Sequence, residues 1–189
     1  MPSIRIMIVE DDPFWLDRIA ADLGEESDME IVAAVSAKEE ALHLLQQLEA
    51  DIVLMDVNLT SNNTDGIEAA RAIVRLTGEK TKIVMLTSIR EQDVIVDSFR
   101  KGAINYITKS NYPKLVAAVR EAHAGQAMLS PDVSEAIRSE LRLSTLTPME
   151  REVYDMKKQG LTKTQIADKL FKSVNTIKSQ LRSIRDKLP

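Results

Sequence analysis

Over the first 124 residues, short apolar runs alternate with longer stretches in which apolar positions return every three or four residues. This pattern predicts a parallel sheet covered by helices on both faces. Five strands are expected, over residues 4–9, 30–35, 51–55, 82–86 and 104–107. Most are near-continuous Ile, Val, Leu and Met, as burial on both faces requires. Helices follow each strand. Pro13 suits the first turn of the first, Ser36 reads as the N-cap of the second, Gly66 opens the third, residues 91–101 form the fourth, and Pro113 starts the fifth. Gly102 and Gly125 read as helix stops. The expected class is α/β, a doubly wound five-stranded parallel sheet, in which an order 2-1-3-4-5 would leave the second strand at an edge, followed by a small all-α domain.

Between residues 125 and 144 the pattern weakens, although Ser130-Pro131-Asp132 is a helix start and Val133, Ile137 and Leu141 recur at a spacing of four. A linker with one short helix is expected there. Three capped helices then follow, over residues 147–159 closed by Gly160, 162–170 and 173–188. The predicted organisation is a domain over 1–124, a linker over 125–144 and a helical domain over 145–189.

The 44% hydrophobic content over 189 residues supplies a real core and excludes disorder as the main state. No stretch approaches the roughly 18 apolar residues of a spanning helix, and the start lacks a signal pattern, so a cytoplasmic protein without membrane contact is expected. The chain has no cysteine and two histidines, His43 and His123, which disfavours thiolate metal sites, cysteine nucleophiles and serine–histidine hydrolysis. The net charge of −4 conceals an asymmetry: residues 144–189 carry ten basic and five acidic side chains, a balance of +5 against −9 for the rest. Two domains with different partners are implied.

In an open parallel sheet, functional groups gather beyond the carboxyl ends of the strands. Those ends carry Glu10-Asp11-Asp12, Asp56, Thr87-Ser88 and Thr108-Lys109, whereas the second strand, an edge, offers only Ser36. Carboxylates brought together repel, by about 4 kcal/mol for unit charges ~4 Å apart at an effective dielectric of 20, so the cluster calls for a cation. With oxygen donors alone, Mg²⁺ is the best candidate, and Lys109 brings a second positive charge. A carboxylate so neutralised can act as nucleophile toward a phosphoryl group, with Asp56 the central candidate and Thr87 a hydroxyl for the new phosphate. Taken singly, Asp12 before Pro13 reads as an N-cap, Thr87 or Ser88 as a cap of the fourth helix, and Lys109 as a solvated loop lysine. Their joint placement favours chemistry.

Through Ile-Val-Glu10-Asp11-Asp12-Pro, Leu-Met-Asp56-Val-Asn58-Leu, Asp65-Gly66-Ile, Met-Leu-Thr87-Ser88 and Gly102-Ala-Ile-Asn-Tyr106-Ile-Thr-Lys109, residues 4 to about 124 resemble the receiver domain of bacterial two-component response regulators. The resemblance implies that Asp56 takes a phosphoryl group from a sensor histidine kinase. It implies that Glu10 and Asp11 hold Mg²⁺ with Asp56, with the Asn58 carbonyl completing the ligands, and leaves open whether Asp12 shares that role. It makes Thr87 and Tyr106 a switch pair. One departure is the polar loop Thr60-Ser61-Asn62-Asn63-Thr64, which lacks the usual proline and is about two residues longer; an effect on phosphoryl lifetime or dimer contacts is expected.

The segment from Leu146 to Leu188 resembles the LuxR-type helix-turn-helix of the NarL/FixJ regulators. Ile166, Ala167, Leu170, Ile177, Leu181 and Ile184 form an apolar stripe, while Lys178, Arg182 and Arg185 lie at helical spacing on another face. Lys163, Lys172, Thr176 and Arg185 are assigned to phosphates of double-stranded DNA, and Lys178, Ser179 and Arg182 to the groove. Gln165 and Gln180 stand where the family commonly has Glu and His. The family's usual fourth helix, used in dimerisation, is not expected here, so pairing would come from the receiver, from the linker helix, or not be needed; the expectation is a phosphorylated homodimer that pairs through its receivers on promoter half-sites. A phosphatase with an aspartate nucleophile is disfavoured because Asn58 occupies the place of its second Asp. The expected protein is thus no enzyme beyond self-phosphotransfer and autodephosphorylation, and the alternative is a receiver acting through protein or RNA contacts.

Overall fold

The computed structural model describes residues 3–60, 64–78, 80–126 and 129–188. Residues 61–63 of the polar loop and the ending at Pro189 lie outside the described residues. The chain folds as two compact units, Met1–Ala136 and Ile137–Pro189.

The first unit alternates β1 (Ile4–Val9), α1 (Pro13–Gly24), β2 (Met29–Val35), α2 (Lys38–Leu44), β3 (Ile52–Met55), α3 (Asp65–Thr77), β4 (Lys82–Thr87), α4 (Gln92–Arg100), β5 (Ala103–Thr108) and α5 (Leu115–His123). The five strands form one parallel sheet in the order β2-β1-β3-β4-β5. All four residues of β3 are buried, whereas the edge strand β2 is half exposed along its middle. Ile6, Ile8, Leu54, Val84, Leu86 and Ile107 form the face that packs on Ile19 and Leu23 of α1 and on Leu115, Ala118 and Val119 of α5.

Local chemistry accounts for most element ends, and two expectations need correction. Asp12 caps α1 by accepting from the Phe14 amide at 2.9 Å, with Pro13 in the first turn. Ser36 does not cap α2. The extended Ala37 precedes that helix without a side-chain cap bond, and Glu39 and Glu40 in the first turn favour its positive end instead. Pro113 does not start α5: it lies in the tight 3₁₀ turn Lys109–Lys114, which is kinked at Asn111. Buried Tyr112, whose hydroxyl donates to Asp22 at 2.7 Å, anchors that turn against α1.

Two glycines are demanded by close approach. A Cβ on Gly66 would stand 1.8 Å from the Asp56 carbonyl oxygen, so only glycine lets α3 begin against the end of β3. Gly102 has φ +105 and faces Val74, with a Cβ there 2.6 Å from its Cγ2.

The stretch after α5 carries α6 (Pro131–Leu143), thirteen residues long, and the division between the units falls inside it. In the second unit α7 (Pro148–Lys158), α8 (Lys163–Lys169) and α9 (Val174–Lys187) enclose Leu146, Val153, Ile166, Ala167, Ile177 and Ile184. Leu170 and Leu181 of the expected stripe pack half-buried against this core. Thr147 with Glu150 and Thr162 with Gln165 close reciprocal capping boxes, and Ser173 caps α9 by accepting from the Thr176 amide. Gln165 thus fills the capping role available to a glutamate. The turn between α8 and α9 passes through Phe171, at φ 51 and 95% exposed.

Candidate functional site

Sheet register builds the first candidate site. Val9 pairs with Met55 and Met55 with Met85, so the strands end side by side. One residue further on, the Asp56 amide donates to the Val9 carbonyl at 3.0 Å, which sets Glu10 and Asp56 next to each other. Glu10 is 1% exposed and Asp56 6%, while Asp11 is exposed. Each of the three places a carboxylate oxygen within 4.8 Å of the others. Asp12 stays apart as the cap of α1, although its amide donates to Glu10 Oε1 at 3.3 Å.

Lys109, leaving β5, closes the cluster. Its Nζ lies 2.8 Å from Glu10 Oε2 and 2.9 Å from Asp56 Oδ2, and its side chain is 8% exposed. The reading of Lys109 as a solvated loop residue is therefore ruled out. Burial pushes the Glu10 carboxyl up to about 7, against the pull of Lys109 and with repulsion from Asp56 adding to it. Burial draws the Lys109 ammonium down, but its hydrogen bonds to Glu10 and Asp56 outweigh this and raise it above its ordinary value. Three oxygen ligands of this kind form a donor set that suits a hard divalent cation.

Asn58 is half-buried, and its amide donates to Asp56 Oδ1 at 3.4 Å. Its Oδ1 is buried without a hydrogen-bond partner among the described residues. Asp65 steadies the loop after β3 by accepting from the Leu59 amide at 3.0 Å. Thr87 is 1% exposed at the end of β4, and its hydroxyl accepts from the Ile89 amide at 3.4 Å. It does not cap α4, whose N-cap is Glu91. The Tyr106 ring is turned inward, 1% exposed, and its hydroxyl donates to the Ile89 carbonyl at 3.1 Å. Burial holds that phenol well above its ordinary value.

Sequence reasoning did not find Ile89, because the partner it offers is a backbone carbonyl. It also missed the bridge from Arg90 Nη2 to the Ser110 hydroxyl, at 2.5 Å, which joins the two loops that flank Tyr106. A residue-type pattern carries no signal for either contact.

The second candidate site lies on the helical unit. Lys163, Lys172, Thr176, Lys178, Ser179, Arg182 and Arg185 are all exposed. Lys163 of α8 joins Lys178, Leu181, Arg182 and Arg185 of α9 around one open concavity. Lys172, Thr176 and Ser179 lie outside it, and the Thr176 hydroxyl pairs with that of Ser173 at 2.9 Å. Glu150, 4% exposed, accepts from the Thr147 amide, the Ser183 hydroxyl and Lys187 Nζ at 2.7, 2.6 and 2.6 Å, which bolts α9 to α7. Among the described residues no helix is long and apolar enough to cross a membrane.

Comparison with known proteins bears on both sites. Residues 6–120 match the response regulator receiver domain, and residues 144–189 match the luxR family of bacterial regulatory proteins. The transcriptional regulatory protein LiaR of Bacillus subtilis strain 168 is 30% identical over 194 residues, covering 98% of this chain and 90% of LiaR. A crystal structure of a LuxR-family two-component response regulator from Aurantimonas sp. SI85-9A1 matches with a TM-score of 0.65 and 32% identity, over 73% of this chain and 97% of that one. The response regulator RcsB of Salmonella typhimurium matches with a TM-score of 0.75 at 24% identity, over 98% and 93% of the two chains, a likeness of fold.

Proposed function

The chain belongs to the DNA-binding response regulators that join a receiver domain to a LuxR-type domain, and from that premise we propose that phosphorylation of Asp56 by a sensor histidine kinase switches its hold on DNA. The observation that carries this reading is the buried triangle in which Lys109 bridges Glu10 and Asp56. A buried lysine poised on two carboxylates is suited to neutralise the oxygens of a transferring phosphoryl group.

A carboxylate oxygen of Asp56 attacks the phosphorus of a phosphohistidine. The O–P bond forms as the P–N bond breaks, and the electron pair leaves with the imidazole. Lys109 turns from Asp56 to the phosphoryl oxygens, and Thr87 gives its hydroxyl to the new phosphate. Glu10, Asp11 and Asp56, with Asn58, would hold Mg²⁺, which when bound supplies positive charge to the phosphoryl oxygens. The donor set fits that ion, because three clustered carboxylates against one lysine leave negative charge to be balanced. When Thr87 moves toward phosphate it releases the Ile89 amide, and the loop that Tyr106 grips through the Ile89 carbonyl is repositioned.

On the helical unit, α9 enters the major groove with Lys178, Ser179 and Arg182 toward base edges, while Lys163, Lys172, Thr176 and Arg185 fix the backbone. Phosphorylation pairs two chains, and pairing raises the effective concentration of each DNA-binding domain at adjacent half-sites. The exposed cationic concavity together with the luxR match favours DNA over a purely protein or RNA partner.

The test is DNA selection from a random pool, with wild type and Asp56→Asn, each with and without acetyl phosphate and Mg²⁺. Phosphate-dependent enrichment of paired half-sites that disappears in Asp56→Asn is the expected result. Enrichment indifferent to Asp56 would make the protein a constitutive binder.

A further inference from the structure

Trp15, the chain's single tryptophan, stands in the first turn of α1 with its ring centroid 5.2 Å from Lys109 Nζ. That lies inside the roughly 6 Å over which an ammonium is attracted to an indole face. Glu10 and Asp56 take polar contacts of the ammonium at 2.8 and 2.9 Å, and the indole meets the same group. Glu10 meets the ammonium with both oxygens, Oε1 at 2.9 Å and Oε2 at 2.8 Å, and Asp56 with Oδ2 at 2.9 Å, so the indole adds an attraction to the ring face beside these three polar contacts.

The indole is itself braced. Tyr112 packs 5.3 Å from it and Phe14 meets it edge-on at 5.7 Å. The Arg18 guanidinium sits 5.8 Å over Trp15 and 4.8 Å over Tyr112, and the Tyr112 hydroxyl is tied to Asp22 of the same helix. The aromatic group is thus anchored both by α1 and by the turn that follows Lys109.

We propose that Trp15 is a positioning residue for phosphoryl transfer, its indole holding the Lys109 ammonium between Glu10 and Asp56. The role rests on Asp56 being the phosphoacceptor and refines that reading. Without the indole, Lys109 keeps its partners but samples other rotamers, and the fraction of encounters in which it faces the incoming phosphoryl oxygens falls.

The experiment compares full-length wild type, Trp15→Phe and Trp15→Leu for the rate of phosphoryl uptake from acetyl phosphate with Mg²⁺. Circular dichroism monitors folding, and Trp15 emission is compared between wild type and Lys109→Gln. Trp15→Leu is expected to react about 3- to 30-fold more slowly, the range of a partly desolvated cation–π contact. Trp15→Phe, which keeps an aromatic face, recovers most of that loss, and Lys109→Gln alters the emission because the charge beside the indole is gone. A folded Trp15→Leu that reacts at the wild-type rate, a Trp15→Phe as slow as Trp15→Leu, or emission unchanged in Lys109→Gln would each overturn the proposal. A wild type that takes up no phosphate overturns instead the phosphoacceptor reading, and this role with it.

Discussion

The Tyr106 hydroxyl donates to the Ile89 carbonyl at 3.1 Å, fastening the edge strand β5 to the loop that leaves β4. Thr87 accepts from the amide of the same residue, so the backbone N–H and C=O of Ile89 are both held by side chains from the neighbouring strands β4 and β5. A movement of Thr87 is thereby felt at Tyr106 through one residue.

Replacing Tyr106 by Phe keeps the buried ring and removes only the bond to Ile89. A neutral hydrogen bond contributes about 1 kcal/mol net. The gain in DNA affinity that acetyl phosphate produces should therefore change roughly 2- to 10-fold in Tyr106→Phe, measured by fluorescence anisotropy on a selected site. An unaltered gain would show that the loop is not held through this contact.

Gly66→Ala drives a Cβ into the Asp56 carbonyl oxygen, 1.8 Å away. The obstacle is backbone, so α3 or the end of β3 must shift, at a cost of about 1–3 kcal/mol or more. Thermal melts should show a destabilised receiver, and phosphoryl uptake at Asp56 should fall even under conditions where the variant remains folded.

Acid should weaken the helical unit through Glu150. The hydrogen bond from Lys187, then those from Ser183 and the Thr147 amide, hold its carboxyl at about 2, below the ordinary 4.5. A carboxylate depressed in the folded state binds fewer protons there than in the unfolded chain. Its stabilisation is present above about 4.5 and is lost as pH falls toward 2. Denaturant titrations across that window should show wild type losing stability with acid, while Glu150→Gln starts lower at neutral pH and changes less.

The cationic face should separate into two kinds of contact. Lys163→Ala removes a charge assigned to a phosphate, so the salt dependence of binding should lose about 0.9 in log–log slope, with sequence preference retained. Arg182→Ala removes a residue assigned to the groove, so discrimination at one base pair should drop by about 1–3 kcal/mol. Binding competitions at several salt concentrations distinguish the two, and identical behaviour of the variants would refute the assignment.

Much of this was legible along the chain. The five strands follow from apolar runs buried on two faces, and the residues just past each run, Glu10, Asp56, Thr87 and Lys109, had to come to one end of a parallel sheet, whose order β2-β1-β3-β4-β5 is a matter of tertiary pairing. The caps of α7, α8 and α9 were equally visible, because a side-chain cap, with or without the reciprocal bond of a capping box, is satisfied within four consecutive residues. Ser36 and Pro113 misled for the opposite reason. Each suits a helix start by local preference, but the path of the chain out of β2, and the anchoring of Tyr112 on Asp22, decided where those helices began.

What sequence determined, then, was the set of elements and the chemistry carried at their ends, since period and capping depend on neighbours a few residues apart. Only the tertiary structure decided which groups touch. Lys109 meeting Trp15 across 94 positions of sequence, Glu150 joining α7 to Lys187, and Lys163 of α8 completing the basic surface of α9 depend on strand register and helix packing. Spacing along the chain cannot encode those distances, because they are set by how buried side chains of separate elements fill the space between them.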